Sequence, residues 1–97
     1  ELAPAGVTVN CVCPVGVSST GMGQEVLAYK NRATGAENEA ILAATAAEIP
    51  LGRNPVADDI VNAILFFLAE SSSFLTGVAL DVDGGLLSTS TLPGVDR

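Results

Sequence analysis

Few side chains in this sequence are equipped for chemistry, and their types narrow the reactions at once. Histidine is absent, which removes the commonest general base and the usual zinc ligand. Cys11 and Cys13 are the two thiols. Two apart in a β-rich run, they point to one face of a strand with Cα atoms about 6.5 Å apart, near the upper limit for a disulfide. We read them as small packing residues in a reducing, cytoplasmic setting, neither a redox pair nor metal ligands. Gly21-Met22-Gly23 is too short for a dinucleotide signature. Gly84-Gly85 precedes no helix start and reads as the turn that closes a strand. Asn10, on a buried strand, needs its amide satisfied and is expected to make structural hydrogen bonds. The stretch Pro14-Val15-Gly16-Val17-Ser18-Ser19-Thr20-Gly21 is small, turn-rich and breaks regular structure.

These residues must be positioned by a small α/β framework. Val7 to Cys13 is β-branched, bounded by Gly6 and Pro14, and predicts a strand buried on both faces as in a parallel sheet. Met22, Val26 and Tyr29 recur at i, i+4 and i+7 and predict the buried stripe of a short helix. Thr34 and Glu37 match a capping box opening an Ala-rich helix that should stop before Pro50. Asn54 as cap and Pro55 at the first helical position predict a third helix, with Asp58 and Asp59 near its positive end. Its buried stripe is Ile60, Ile64 and Phe67, and Ser71 to Ser73 end it. Val78 to Val82 is a second strand. Two strands joined by helical crossovers imply a parallel sheet with right-handed connections. Two strands alone make a marginal sheet, and the opening Glu1-Leu2-Ala3-Pro4 reads as the last turn of a helix, so a fragment of a larger domain is expected.

The net charge of −7, with only Lys30, Arg32, Arg53 and Arg97 basic, argues against nucleic acid or an anionic membrane as partner. No apolar run reaches the roughly 18 residues of a membrane span, and no charged-then-apolar leader is present. The apolar fraction of 48% is ample for a core.

Five pieces in order resemble the C-terminal third of the short-chain dehydrogenase/reductase family. Glu1-Leu2-Ala3-Pro4-Ala5-Gly6-Val7-Thr8-Val9-Asn10 is similar to the family's E-L-A-x-x-G-I-x-V-N, and Ile49-Pro50-Leu51-Gly52-Arg53 to its I-P-L-G-R. Asp58-Asp59-Ile60 with Phe66-Phe67-Leu68 resembles E-D-I-A…F-L-A. Phe74-Leu75-Thr76-Gly77 and Asp81-Val82-Asp83-Gly84-Gly85 resemble I-T-G-x-x-x-x-V-D-G-G. The resemblance implies the C-terminal part of a doubly wound, Rossmann-type parallel sheet: two strands, lid helices and one crossover helix, with NAD or NADP at the C-terminal strand ends. It divides the chain into a helix end and strand (1–13), a cofactor loop and substrate lid (14–53), a helix and last strand (54–85) and a tail (86–97).

It also implies hydride transfer between nicotinamide and a secondary alcohol or ketone. The family's catalytic tyrosine, lysine and serine would precede residue 1, so no catalytic residue is assigned here and the 97-residue chain alone is expected to be inactive. Tyr29-Lys30 lacks the three intervening residues of the family's motif, and Tyr29 is read as packing the lid. The loop resembles the family's P-G-x-V-x-T-x-M with one extra residue and Val15 where Gly is usual. Counting from Pro14, and with Gly16 in the turn, the backbone of Val17 contacts the carboxamide and Ser19 supplies the hydroxyl. Counting from Met22, the hydroxyl is Thr20, which the intact Thr20-Gly21-Met22 spacing favours. The lid, Gly21 to Arg53, is where substrate selection is expected. A homodimer or homotetramer through 54–70 and 78–85 is expected, because the third helix is apolar on more than one face. A non-catalytic binding or assembly module, or a non-functional truncated fragment, are the alternatives.

Overall fold

A computed structural model describes residues 1–88; the rest of the tail, with Arg97, lies outside the described residues. Ala3–Ala5 form one 3₁₀ turn closed by Gly6 at φ 79°. Strand β1 is Cys11–Pro14 and pairs in parallel with β2, Ala79–Val82, in the register Cys11↔Ala79 to Pro14↔Val82. The predicted strand began at Val7, but the ladder starts four residues later, for a visible reason. Gly77, at φ 73°, turns the partner chain just before β2. Side chains therefore join the backbone at the ladder's mouth: the Gly77 N–H donates to the Val9 carbonyl (2.8 Å), the Val9 N–H donates to Thr76 Oγ1 (3.1 Å), and the Asn10 amide donates to the Leu75 carbonyl and accepts from the Val78 N–H (both 3.1 Å). Asn10 is structural, as its position on the strand implied.

Helix α1 is Gly21–Thr34. Thr20 caps it, and Gly35 (φ 70°) ends it with its N–H on the Asn31 carbonyl. The expected stripe of Met22, Val26 and Tyr29 is not the buried one: Met22 is 78% and Tyr29 65% exposed, and Leu27 is buried. Backbone proximity decides this. A Cβ on Gly23 would sit 1.9 Å from the Val17 carbonyl oxygen, so only the Gly23 side of the helix can lie against the preceding loop. The i, i+4, i+7 row Gly23–Leu27–Lys30 turns inward with it.

Helix α2 is Asn38–Glu48, stopping before Pro50 as expected. The Thr34–Glu37 capping box does not form. Because α1 runs on to Thr34, that hydroxyl is taken by the Lys30 carbonyl (2.8 Å) and the Ala36 N–H (3.2 Å). The corner is held instead by Asn31, whose amide donates to the Ala36 carbonyl and to Asn38 Oδ1.

Helix α3 is Ala57–Leu68 with Val56 at the cap position. Asn54 and Pro55 do not cap it, since the Asn54 amide reaches back to α2, donating to the Leu42 carbonyl (2.8 Å) and accepting from Thr45 Oγ1 (2.9 Å). Asp59 does the capping work, accepting from the Val56 N–H at 2.8 Å. Ile60, Ala63 and Phe67 are half-buried, whereas Ile64, expected in the buried stripe, is exposed at 43%, as are Val61, Leu65, Phe66 and Leu68. A 3₁₀ turn, Glu70–Ser72, follows, with Ser72 buried and its hydroxyl on the Phe66 carbonyl.

Beyond β2, the buried Asp83 carboxylate accepts the Leu87 (2.9 Å) and Gly85 (3.0 Å) N–H groups, closing the turn that Gly84 and Gly85 allow at φ 60° and 94°. Those two N–H bonds, Leu87's foremost, hold the carboxyl below its ordinary range. Ile49, Pro50 and Leu51 pack on this turn: a Cβ on Gly84 would meet Ile49 at 2.5 Å, and the Leu51 N–H donates to the Gly84 carbonyl. The result is a two-stranded parallel sheet with α3 against it and α1 and α2 paired beside the strand ends. The buried apolar residues Val17, Leu27, Ile41 and Ile49 all belong to the loop and lid. Among the described residues no helix is long and apolar enough to cross a membrane.

Candidate cofactor and substrate site

Both strands run parallel, so the loop after β1 and the turn after β2 emerge on the same edge of the sheet. The loop is tightly self-bonded. The buried Val17 offers its carbonyl to the Thr20 N–H (3.1 Å) and the Thr20 hydroxyl (2.8 Å), and that hydroxyl in turn accepts from the Gly23 N–H (3.0 Å). The Gln24 side chain donates to the Ser18 carbonyl. These bonds leave the Val17 N–H and the hydroxyls of Ser18 and Ser19 without a partner among the described residues. Such donors at the C-terminal strand edge suit a carboxamide and other polar groups of a nicotinamide nucleotide.

Between loop and lid lies an open cleft of about 370 Å³. Val15, Gly16 and Ser18 form its floor side. Val26, Leu27 and Lys30 come from α1, and Leu42, Thr45 and Glu48 from α2, with Ile49, Asn54 and Leu86 closing the end. Of the five residues singled out from sequence, Gly16 lies on this wall. Val17 is buried beneath it, Thr20 is engaged in capping α1, Pro14 ends β1 and Ser19 is exposed. Ser18, Lys30 and Glu48 also line the cleft and were not among those five. A signal for Lys30 existed in its spacing of seven from Gly23, the glycine that has to face the loop. Tyr29, read from sequence as packing the lid, is largely exposed on α1 and does not line the cleft.

Outside the cleft, Arg53 and Asp59 form a bidentate pair at 2.8 and 2.9 Å. The Arg53 guanidinium and the Val56 N–H pull the Asp59 carboxyl down to about 2. This pair ties the end of the lid segment to the start of α3. Cys11 and Cys13 are free thiols on one face of β1 with Sγ atoms 3.7 Å apart, and the neighbouring Cys11 thiol pushes Cys13 up. Cys11 is exposed and so is not the packing residue expected of it. Among the described residues no cluster of three His, Cys, Asp or Glu side chains could hold a metal ion.

A family model described as enoyl-(acyl carrier protein) reductase matches residues 1–87. The chain is 41% identical over 81 residues to the 2-(S)-hydroxypropyl-CoM dehydrogenase 3 of Xanthobacter autotrophicus, covering 84% of this chain and 29% of that protein. It superposes on a short chain dehydrogenase family protein from Francisella tularensis with a TM-score of 0.82 at 27% identity, covering 91% of this chain and 36% of that one. An actinorhodin polyketide ketoreductase with NADPH gives 0.77 at 30% identity, over 89% and 33%. The chain thus spans about a third of the length of the relatives it matches. From the parallel strand pair with its loop and lid, and from these matches along nearly all of its described length, the chain belongs to the short-chain dehydrogenase/reductase family.

Proposed function

We propose that this chain is the cofactor loop, substrate lid and last strand of an NAD(P)-dependent oxidoreductase that interconverts a secondary alcohol and a ketone. The observation that carries the reading is the Val17 N–H, without a partner among the described residues, in the loop after β1 and beside a cleft lined by α1 and α2. Relatives that are dehydrogenases or reductases support it, one of them solved with NADPH. In this reading the nicotinamide nucleotide, when bound, supplies or accepts the hydride. Residues of this chain bind and orient: the Val17 N–H meets the carboxamide, Thr20 and Ser19 offer hydroxyls, and Pro14 and Gly16 shape the loop. The lid excludes water and selects the small-molecule substrate. Proton transfer falls to residues outside this chain, so residues 1–97 alone are inactive. Residues 1–13, 14–53, 54–85 and 86–97 act as strand, loop and lid, crossover helix with last strand, and tail.

The protein works in the cytoplasm without nucleic acid or membrane. It assembles as a homodimer or homotetramer through 54–70 and 78–85, where Phe66 is the outward member of the Phe66–Phe67 pair. The test is the full-length protein incubated with NAD or NADP and a panel of secondary alcohols. Growth of reduced-nicotinamide absorbance supports the reading. Calorimetry that detects binding of neither cofactor refutes it.

A further inference from the structure

Lys30 is out of keeping with the cleft that it lines. The wall around it is apolar, formed by Val15, Val26, Leu27, Leu42 and Ile49. Lys30 is half-buried there, and its ammonium has no hydrogen bond or ion pair among the described residues. The other polar groups at that end satisfy each other, since Thr45 and Asn54 bond together and to the Leu42 carbonyl. Nor is Lys30 part of a basic surface. The chain carries a net charge of −7, Arg53 is locked to Asp59, and Arg32 does not line the cleft. An ammonium without a partner beside an apolar wall is available to an anionic group of a bound molecule, which would form a charge-assisted hydrogen bond with it.

We propose that the cleft takes a secondary alcohol or ketone bearing a terminal acidic group, and that Lys30 is the specificity-determining residue that pairs with it. The proposal rests on the reading of the cleft as the substrate site. Glu48 gives the site a direction. It lines the cleft from the other helix, as the last residue of α2, where the negative helix end adds to its own charge. An acidic group is therefore drawn to the α1 side and repelled from the α2 side, leaving the other end of the substrate at the loop with Gly16 and Ser18.

The experiment uses the full-length protein and secondary alcohols of equal length ending in methyl, carboxylate, sulfonate or phosphate, read as kcat/KM. Wild type is expected to favour one or more acidic members over the methyl member by about tenfold or more, the range for a hydrogen bond to a charged partner. Which acid wins identifies the group. Lys30→Met should lower the acidic arm about tenfold more than the methyl arm, through KM. Lys30→Arg should retain most of the preference, and Glu48→Gln should raise it. Thermal unfolding checks the variants, with Lys30→Gln replacing any Lys30→Met protein that is unfolded. Turnover of the methyl and acidic members at equal efficiency, or an equal loss on both arms in Lys30→Met, overturns the proposal and leaves the oxidoreductase reading standing. No turnover of any alcohol with either cofactor overturns that reading and this one with it.

Discussion

Gly23 and Gly21 sit two residues apart at the start of α1, and alanine at the two positions should act in opposite directions. Inside a helix, alanine is favoured over glycine by about 1 kcal/mol. At Gly21 nothing lies within 4 Å of an added Cβ, so Gly21→Ala should stabilise by up to that amount. At Gly23 the Cβ would stand 1.9 Å from the Val17 oxygen, 2.7 Å from its carbon and 2.9 Å from the Ser18 Cα, all backbone. The oxygen cannot retreat freely, because the Thr20 N–H and hydroxyl both hold it. Helix and loop must part. Overpacking of this kind costs about 1–3 kcal/mol, which exceeds or cancels the helical gain. The displaced segment is also the one proposed to meet the carboxamide, so the dissociation constant for NADH or NADPH should rise about tenfold, the equivalent of about 1.4 kcal/mol. Thermal unfolding and calorimetry on the full-length protein read the two effects separately. A Gly23→Ala protein as stable as Gly21→Ala, with unaltered cofactor affinity, would refute the close-approach argument.

Thr20→Ala should cost about 1 kcal/mol of stability through loss of the cap and raise the cofactor dissociation constant about 2- to 13-fold, with Thr20→Ser restoring both; a larger affinity loss in Ser19→Ala by calorimetry would instead make Ser19 the cofactor hydroxyl. Asp59 is held at about 2 in the folded protein against about 3.9 when unfolded, so its contribution is whole above about pH 4 and disappears as pH falls towards 2. Denaturation midpoints of wild type should therefore drop between about pH 4 and 2 by more than those of Arg53→Met, and parallel pH profiles would contradict this. Phe66→Glu should dissociate the proposed assembly, because a symmetric interface would bury the unpaired charge twice; wild-type protein that is already monomeric by light scattering at micromolar concentration ends that idea.

Local chemistry alone made the strand partners and the helix order readable, because the relevant residues answer to one demand each. Pro50 cannot continue a helix already under way, and the half-buried Asn10 must find partners even though the strand expected to be buried on both faces has Val9 63% exposed and Cys11 exposed. The caps were harder, because Thr34 and Asn54 have two suitors apiece. Thr34 could open α2 or close α1, and α1 won by running on to Thr34 itself. Asn54 could cap α3 or brace α2, and the Leu42 carbonyl with Thr45 took it. Which competitor wins depends on how far apart the two helices lie, and no window of sequence around either residue contains that distance.

The cleft poses the same difficulty at the level of a whole helix face. Hydrophobic periodicity in α1 favours Met22, Val26 and Tyr29, three large residues in register. A single steric fact outweighs them, since only glycine can pass the Val17 carbonyl, and the face that carries Gly23 has to be the inner one. Turning the helix to that side brings in Leu27 for the core and carries Lys30 to the wall of the cleft. It leaves Met22 and Tyr29 outside. The rotation that satisfies packing thus also selects which charged residue can reach a ligand. A lid helix in which Gly23 were replaced by a residue of another size would have to present a different face. In such a lid, substrate preference would follow the glycine as much as the lysine.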